Sequence, residues 1–144
     1  MLMHLRFCLE SIPVKQKPAA ILRYYRLQKG ITTRQLAEIV GIVPATLLMY
    51  EREKFPIPYQ TAIAMAKALR IDRHLLFDDF ARFIDAPYSE RLQAVRKEYR
   101  LNQTDFAAKA EINCYIYSKW ESGARRPSRT MFEKLIAVYP EIKL

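Results

Sequence analysis

Glycine is nearly absent from this chain. Three occur in 144 residues, which argues against a loop-rich fold and leaves no glycine-rich phosphate-binding loop. Cysteine is as scarce: Cys8 and Cys114 are too few and too far apart for a disulfide framework or a zinc site. The two histidines, His4 and His74, stand alone, and no Ser/His/Asp, Cys/His or metal-ligand spacing accompanies them. Asp78-Asp79 belongs to no ligand pattern and reads as a solvated helix face. These absences argue against catalysis, and neither a metal nor a cofactor is expected. Residues Met1–Leu9 hold no apolar run long enough for a signal peptide or a membrane span. The expectation is a cytosolic protein with reduced thiols and no membrane partner.

What is present is positive charge on a chain with ample apolar material. Half of the residues are hydrophobic, and 24 Lys and Arg stand against 15 acidic residues, a formal net charge of +9. The excess is shared, +5 in residues 1–80 and +4 in residues 81–144. Such a balance favours a polyanionic partner, nucleic acid before acidic membrane. The length suits one ordinary domain or two very small ones.

The stretch from Gly30 to Arg52 reads as two short helices joined by a tight turn. Thr32 can cap a helix carrying Leu36, Ala37 and Val40 on one face. Gly41 can end it in a left-handed conformation. Pro44 is pre-set for the first turn of the next helix, where a missing N–H matters little. Leu47 and Tyr50 then share an inward face. This is a helix-turn-helix pattern, whose second helix can enter a DNA major groove.

Around it the chain falls into order. Leu5, Phe7 and Leu9 alternate with polar residues, so residues 1–17 read as an arm or short strand ending in a Pro/Lys linker. A helix with Ile21, Leu22, Tyr25 and Leu27 inward precedes Gly30. Lys54-Phe-Pro-Ile-Pro58 reads as a surface loop. A helix with Ala62, Met65, Ala66 and Leu69 inward follows, then one starting near Asp72 with Leu75, Leu76, Phe80 and Phe83 apolar. Residues 85–89 have the turn chemistry of a link. A first domain is therefore expected at 18–84 and a second at 90–144, with Ser89 capping the second's first helix.

The second segment repeats the first at an offset of 70. Leu22 pairs with Leu92, Arg26 with Arg96, Ile31 with Leu101, Leu36 with Phe106 and Ala37 with Ala107. Ile42 pairs with Ile112, Tyr50 with Trp120 and Glu51 with Glu121. Ser128 opens a last helix with Phe132, Leu135, Ile136 and Tyr139 inward, ended by Pro140, and no fifth helix is evident. Glu111 and Arg100 stand where the first copy has Gly41 and Gly30, so each must avoid a left-handed backbone or carry a penalty of ~1 kcal/mol.

Both copies resemble the helix-turn-helix domain of the phage Cro and C1 repressor (XRE) family. The resemblance rests on the Gly30–Arg52 stretch and, in the second copy, on Leu101-Asn-Gln-Thr-Asp-Phe-Ala107, Tyr117-Ser-Lys-Trp-Glu-Ser-Gly123 and Arg126-Pro-Ser128. It implies an all-α fold of two tandem lambda-repressor-like bundles, four to five helices each, in which the third helix reads the major groove. It implies that Gln103, with Thr104 beside it at the start of the second helix, holds a phosphate. The matching residues in the first copy are Thr33, a shorter hydrogen-bonder, and Arg34. It also implies structural ion pairs between Arg26 and Glu51 and between Arg96 and Glu121. Such a pair fixes the angle between helices more than it adds stability.

The two reading helices differ. In the second copy Asn113, Cys114, Tyr115, Ser118, Lys119 and Ser122 take the outward positions; Lys119 can donate to guanine and Ser118 can meet either kind of base edge. Arg125, Arg126 and Arg129 follow, suited to phosphates. In the first copy those positions hold Pro44, Ala45, Leu48, Met49 and Arg52, four of which offer no side-chain hydrogen bond. Exposed Leu48 and Met49 suit thymine methyls or a protein surface. The leading expectation is a sequence-specific regulator of transcription on double-stranded DNA, the second domain being the better reader. By family analogy alone its setting is a bacterial mobile element or phage-like region. Two such domains can occupy major-groove faces about one turn, ~34 Å, apart. The competing expectation is a protein-interaction adaptor, antirepressor or antitoxin. It would work as a homodimer or with a protein partner through the N-terminal segment or Leu48/Met49.

Overall fold

The computed structural model describes residues 17–143. The expected arm or strand over residues 1–17 lies outside them, apart from Lys17, which pairs with Glu53 at 3.2 Å. Among the described residues the regular structure is all helical. The chain divides after Asp78 into two compact units.

The first unit contains α1 (Pro18–Gln28), α2 (Thr33–Val40), α3 (Pro44–Glu51), α4 (Tyr59–Leu69) and a 3-10 turn, Arg73–Leu76. Local chemistry sets their ends. Thr32 accepts from the Gln35 amide while Gln35 answers to the Thr32 amide, a reciprocal cap at the start of α2. Gly41 ends α2 at φ 83°, and Pro44 is the first residue of α3. Leu22, Leu36, Leu47, Ala62, Met65 and Leu69 are fully buried, so the amphipathic pattern of each helix is met by one core. Leu27 departs from its expected inward place and is 57% exposed, because α1 ends a residue later and leaves it uncovered.

The second unit contains α5 (Asp79–Asp85), α6 (Tyr88–Glu98), α7 (Gln103–Lys109), α8 (Cys114–Glu121), α9 (Arg129–Val138) and a 3-10 turn, Pro140–Ile142. Its core is richer in aromatic rings than the first, which buries Tyr50 and Phe77. Phe106 stacks on Tyr139 with centroids 3.9 Å apart, Phe83 stacks on Phe132 at 5.1 Å, and Trp120 is buried beside Tyr117. Such contacts contribute about 0.5–1.5 kcal/mol each beyond area burial. The Tyr139 hydroxyl is satisfied by the Phe106 carbonyl at 2.8 Å.

Several expectations change here. The helix expected from Asp72 is a 3-10 turn capped by Asp72, after which the chain extends through Phe77 before α5 begins. Phe80, Phe83 and Ile84 pack on the second core, so the division falls after Asp78, ahead of the expected 85–89 link. Ser89 lies inside α6, whose cap position is Pro87. The second unit does carry a short closing element, since Pro140 starts a 3-10 turn that buries Ile142.

The offset of 70 extends from sequence to backbone. α1 and α6, α2 and α7, α3 and α8, and α4 and α9 all start 70 residues apart. Three left-handed positions recur as well: Gly30 with Arg100, Gly41 with Glu111, and Glu53 with Gly123. Arg100 and Glu111 accept the strained conformation, each at φ 57°.

Candidate nucleic-acid interface

The ion pairs that orient the helices are built alike in both units. Arg26 Nε donates to Glu51 Oε1 at 2.5 Å and Nη2 to Oε2 at 3.2 Å, tying α1 to the end of α3. Its Nη1 donates to the Ile31 carbonyl at 2.9 Å. Arg96 repeats this with Glu121, at 2.6 and 3.2 Å, and with the Leu101 carbonyl at 3.1 Å. Both carboxylates are buried, with side chains 5% and 3% exposed.

Glu121 has further donors. The Tyr117 hydroxyl gives to Oε1 at 2.6 Å and Gln103 Nε2 to Oε2 at 2.6 Å. Burial alone would raise the Glu121 carboxyl, yet hydrogen bonds from Arg96, Tyr117 and Gln103 outweigh it and hold the group below the usual range. Burial, helped by the bond to Glu121, pushes the Tyr117 phenol far above its ordinary value, so it remains a donor. The bond to Glu121 raises Arg96 in turn. Gln103, expected at a phosphate, thus has one amide N–H seated on this carboxylate. Tyr117 entered the sequence reading only as the first residue of the Tyr117–Gly123 motif, with no role assigned. Its signal was a tyrosine four residues before the glutamate, where the first copy has Leu47.

On α8 the outward residues support one another. Asn113 Oδ1 accepts from the Tyr115 and Ile116 amides, at 2.8 and 3.3 Å, and caps the helix. Tyr115 is 69% exposed, and Lys119 Nζ lies 5.0 Å from its ring centroid, within cation–π range. The Ser118 hydroxyl donates to the Tyr115 carbonyl at 2.7 Å, leaving its lone pairs to accept from a base amine. Thr104 Oγ1 and Cys114 Sγ meet at 3.3 Å, bridging α7 to the first residue of α8. Arg125 and Arg126 are exposed just beyond α8. Arg129 is half-buried, its guanidinium 4.7 Å over the Phe80 ring.

The matching helix face of the first unit is apolar apart from exposed Arg52. Pro44 and Ala45 are exposed, Arg34 is exposed and Thr33 half-buried. Leu48 and Met49, expected to be exposed, are half-buried. The large apolar residues presented to solvent are instead Ile39 and Val43, each 63% exposed, on α2 and in the turn. In sequence they were hidden by the assignment of exposure to α3 alone. Among the described residues no cluster of three or more His, Cys, Asp or Glu could hold a metal, and no helix is long and apolar enough to cross a membrane.

Two short helices at a tight turn, braced by a third through a buried ion pair, define the class of the first unit: a helix-turn-helix bundle. A family model described as helix-turn-helix matches residues 22–76, which run from within α1 to the end of the 3-10 turn. Residues 22–76 of the first unit are thus similar to the helix-turn-helix family. No curated protein and no solved structure matches the chain.

Proposed function

We propose that this protein is a sequence-specific regulator of transcription that binds double-stranded DNA through two tandem helix-turn-helix domains, the second reading bases in the major groove. The observation that carries this reading is the outward face of α8, where exposed Tyr115 and half-buried Ser118 and Lys119 lie at helical spacing and the exposed Arg125 and Arg126 follow. Lys119 donates to a guanine edge, Ser118 accepts from a base amine, and the arginines neutralise phosphates. Gln103, Thr104, Asn113, Arg129 and, in the first unit, Thr33 and Arg34 add backbone contacts. Pro44, Ala45 and Met49 contribute apolar contacts at most. Selection of bound duplexes from a random pool tests this, with affinity for the selected site followed against salt. A preferred site with steep salt dependence is expected. Recovery of no preferred site would overturn sequence-specific reading.

A second reading is favoured by one observation. Ile39, Val43, Leu27 and Phe55 of the first unit are 57–63% exposed, and the residues 70 further on are Lys109, Asn113, Lys97 and Arg125. Apolar exposure of this kind suits a protein partner on the first unit, as in an adaptor or antirepressor. A first unit whose truncation to alanine at these positions leaves DNA affinity intact while abolishing self-association or capture of a partner supports that role.

A further inference from the structure

The buried hydroxyl of Tyr117 faces no solvent, so it touches no DNA. It nevertheless sits in a chain of contacts that ends at the proposed interface. A carboxylate offers about four lone-pair directions, and those of Glu121 are filled: two by Arg96 from α6, one by Tyr117 from α8 and one by Gln103 from the start of α7. Bonds to an ionised acceptor are the stronger kind, so the Gln103 carboxamide is held rather than free to rotate. One N–H of Gln103 goes to Glu121, and the other, with the amide oxygen, remains on a half-exposed side chain. In the first unit Leu47 and Thr33 occupy the two positions, and among the described residues Glu51 accepts from Arg26 alone.

We infer that Tyr117 is a positioning residue for DNA binding: through Glu121 it fixes the Gln103 carboxamide in the orientation that presents its second N–H to a phosphate. This rests on the DNA-binding reading above and deepens it. Removing the hydroxyl leaves Glu121 with one lone pair unfilled, lets the carboxylate turn toward other donors and releases Gln103 to sample several rotamers. The lost contact is a neutral one. Affinity should therefore fall while the salt slope, set by the phosphates that Lys and Arg neutralise, stays unchanged.

The test uses the full chain with the Tyr117→Phe, Gln103→Ala and double variants, each titrated with the selected duplex and with a random-sequence duplex over a range of salt. Tyr117→Phe keeps the ring that packs against Phe106 and Trp120, and a Trp120 fluorescence melt checks that it folds. The expected result is a loss of affinity on the order of tenfold for Tyr117→Phe, at constant salt slope. No further loss should appear when the substitution is made in the Gln103→Ala background. Side-chain amide NMR should show the Gln103 carboxamide protons exchanging faster in Tyr117→Phe without DNA. Additive losses in the double variant, a flattened salt slope or unchanged Gln103 exchange would each overturn the proposal. Wild-type protein that binds neither duplex would overturn the DNA-binding reading instead, and the NMR arm reports on the relay in that case.

Discussion

In the first unit Glu51 accepts from Arg26 alone among the described residues, and the helix it orients presents Pro44, Ala45 and half-buried Leu48 and Met49. In the second, Glu121 gathers donors from three helices, and the helix it orients presents exposed Tyr115 with half-buried Ser118 and Lys119. The helix starts, the left-handed positions and the arginine–carboxylate geometry are common to both. A backbone repeated this closely can carry two surface chemistries, because the core and the turns use one set of positions and the outward face another.

The largest test of that contrast is the carboxylate. Glu121→Ala strands Arg96, Tyr117 and Gln103 together, and should destabilise the second unit by about 3–5 kcal/mol. Glu51→Ala strands Arg26 alone and should do less. Urea unfolding followed by Trp120, the one tryptophan and 2% exposed, isolates the second unit, and far-UV circular dichroism adds the first. The double variant Arg96→Ala/Glu121→Ala should be milder than Glu121→Ala; a single variant milder than the double would break the comparison. The pH dependence follows from the same group. Its folded pKa is depressed, so its stabilisation is present above the unfolded value of ~4.3 and lost as pH falls through the lower folded value. Tyr117→Phe removes one of the lowering bonds, narrowing that gap. It should lose stability at neutral pH and match wild type once the carboxyl is protonated in both.

Base reading comes next. Lys119→Ala should reduce discrimination between the selected and random duplexes by about 1–3 kcal/mol, whereas Met49→Ala should leave it nearly intact. Equal losses from the two would sink the division of labour. A smaller effect separates the loops that follow. Arg125→Gln should lower the magnitude of the salt slope by about one, and the reciprocal Phe55→Arg should raise it if the first unit also lies along DNA. A slope indifferent to Phe55→Arg would instead favour a protein-facing first unit.

The turns give the finest distinction. A Cβ on Gly41 would meet nothing within 4 Å, so Gly41→Ala carries only the backbone penalty, roughly 1 kcal/mol at φ 83°. Glu111→Gly should recover somewhat less than that in the second unit, since glycine also gains freedom when unfolded. Chemical unfolding midpoints of the two variants measure both, and a destabilised Glu111→Gly would contradict the shared turn.

Much of the fold was legible because its signals are local or periodic. Thr32, Gly41, Pro44 and Ser128 mark helix ends through hydrogen bonds and dihedral limits that involve only near neighbours. Leu36, Leu47, Met65 and Phe132 announce their burial by spacing. Leu27 and the Leu48/Met49 pair went astray because exposure depends on what lies opposite a side chain, which periodicity does not record.

By itself, then, the sequence determined most of the helices, the repeat at 70 residues and the residue types on the two outward faces, which follow from residue type at fixed spacing. The ion-pair partners came from the family resemblance. Only the tertiary structure decided that the chain divides after Asp78, since Phe80 and Phe83 choose a core far away in sequence. It alone decided that Arg100 and Glu111 take left-handed conformations, because closing each turn onto a packed core outweighs a local strain of about 1 kcal/mol. It alone brought Tyr117 and Gln103 onto the carboxylate that Arg96 holds. A buried charge collects donors from whichever elements pack around it, and that packing is set by the fold as a whole.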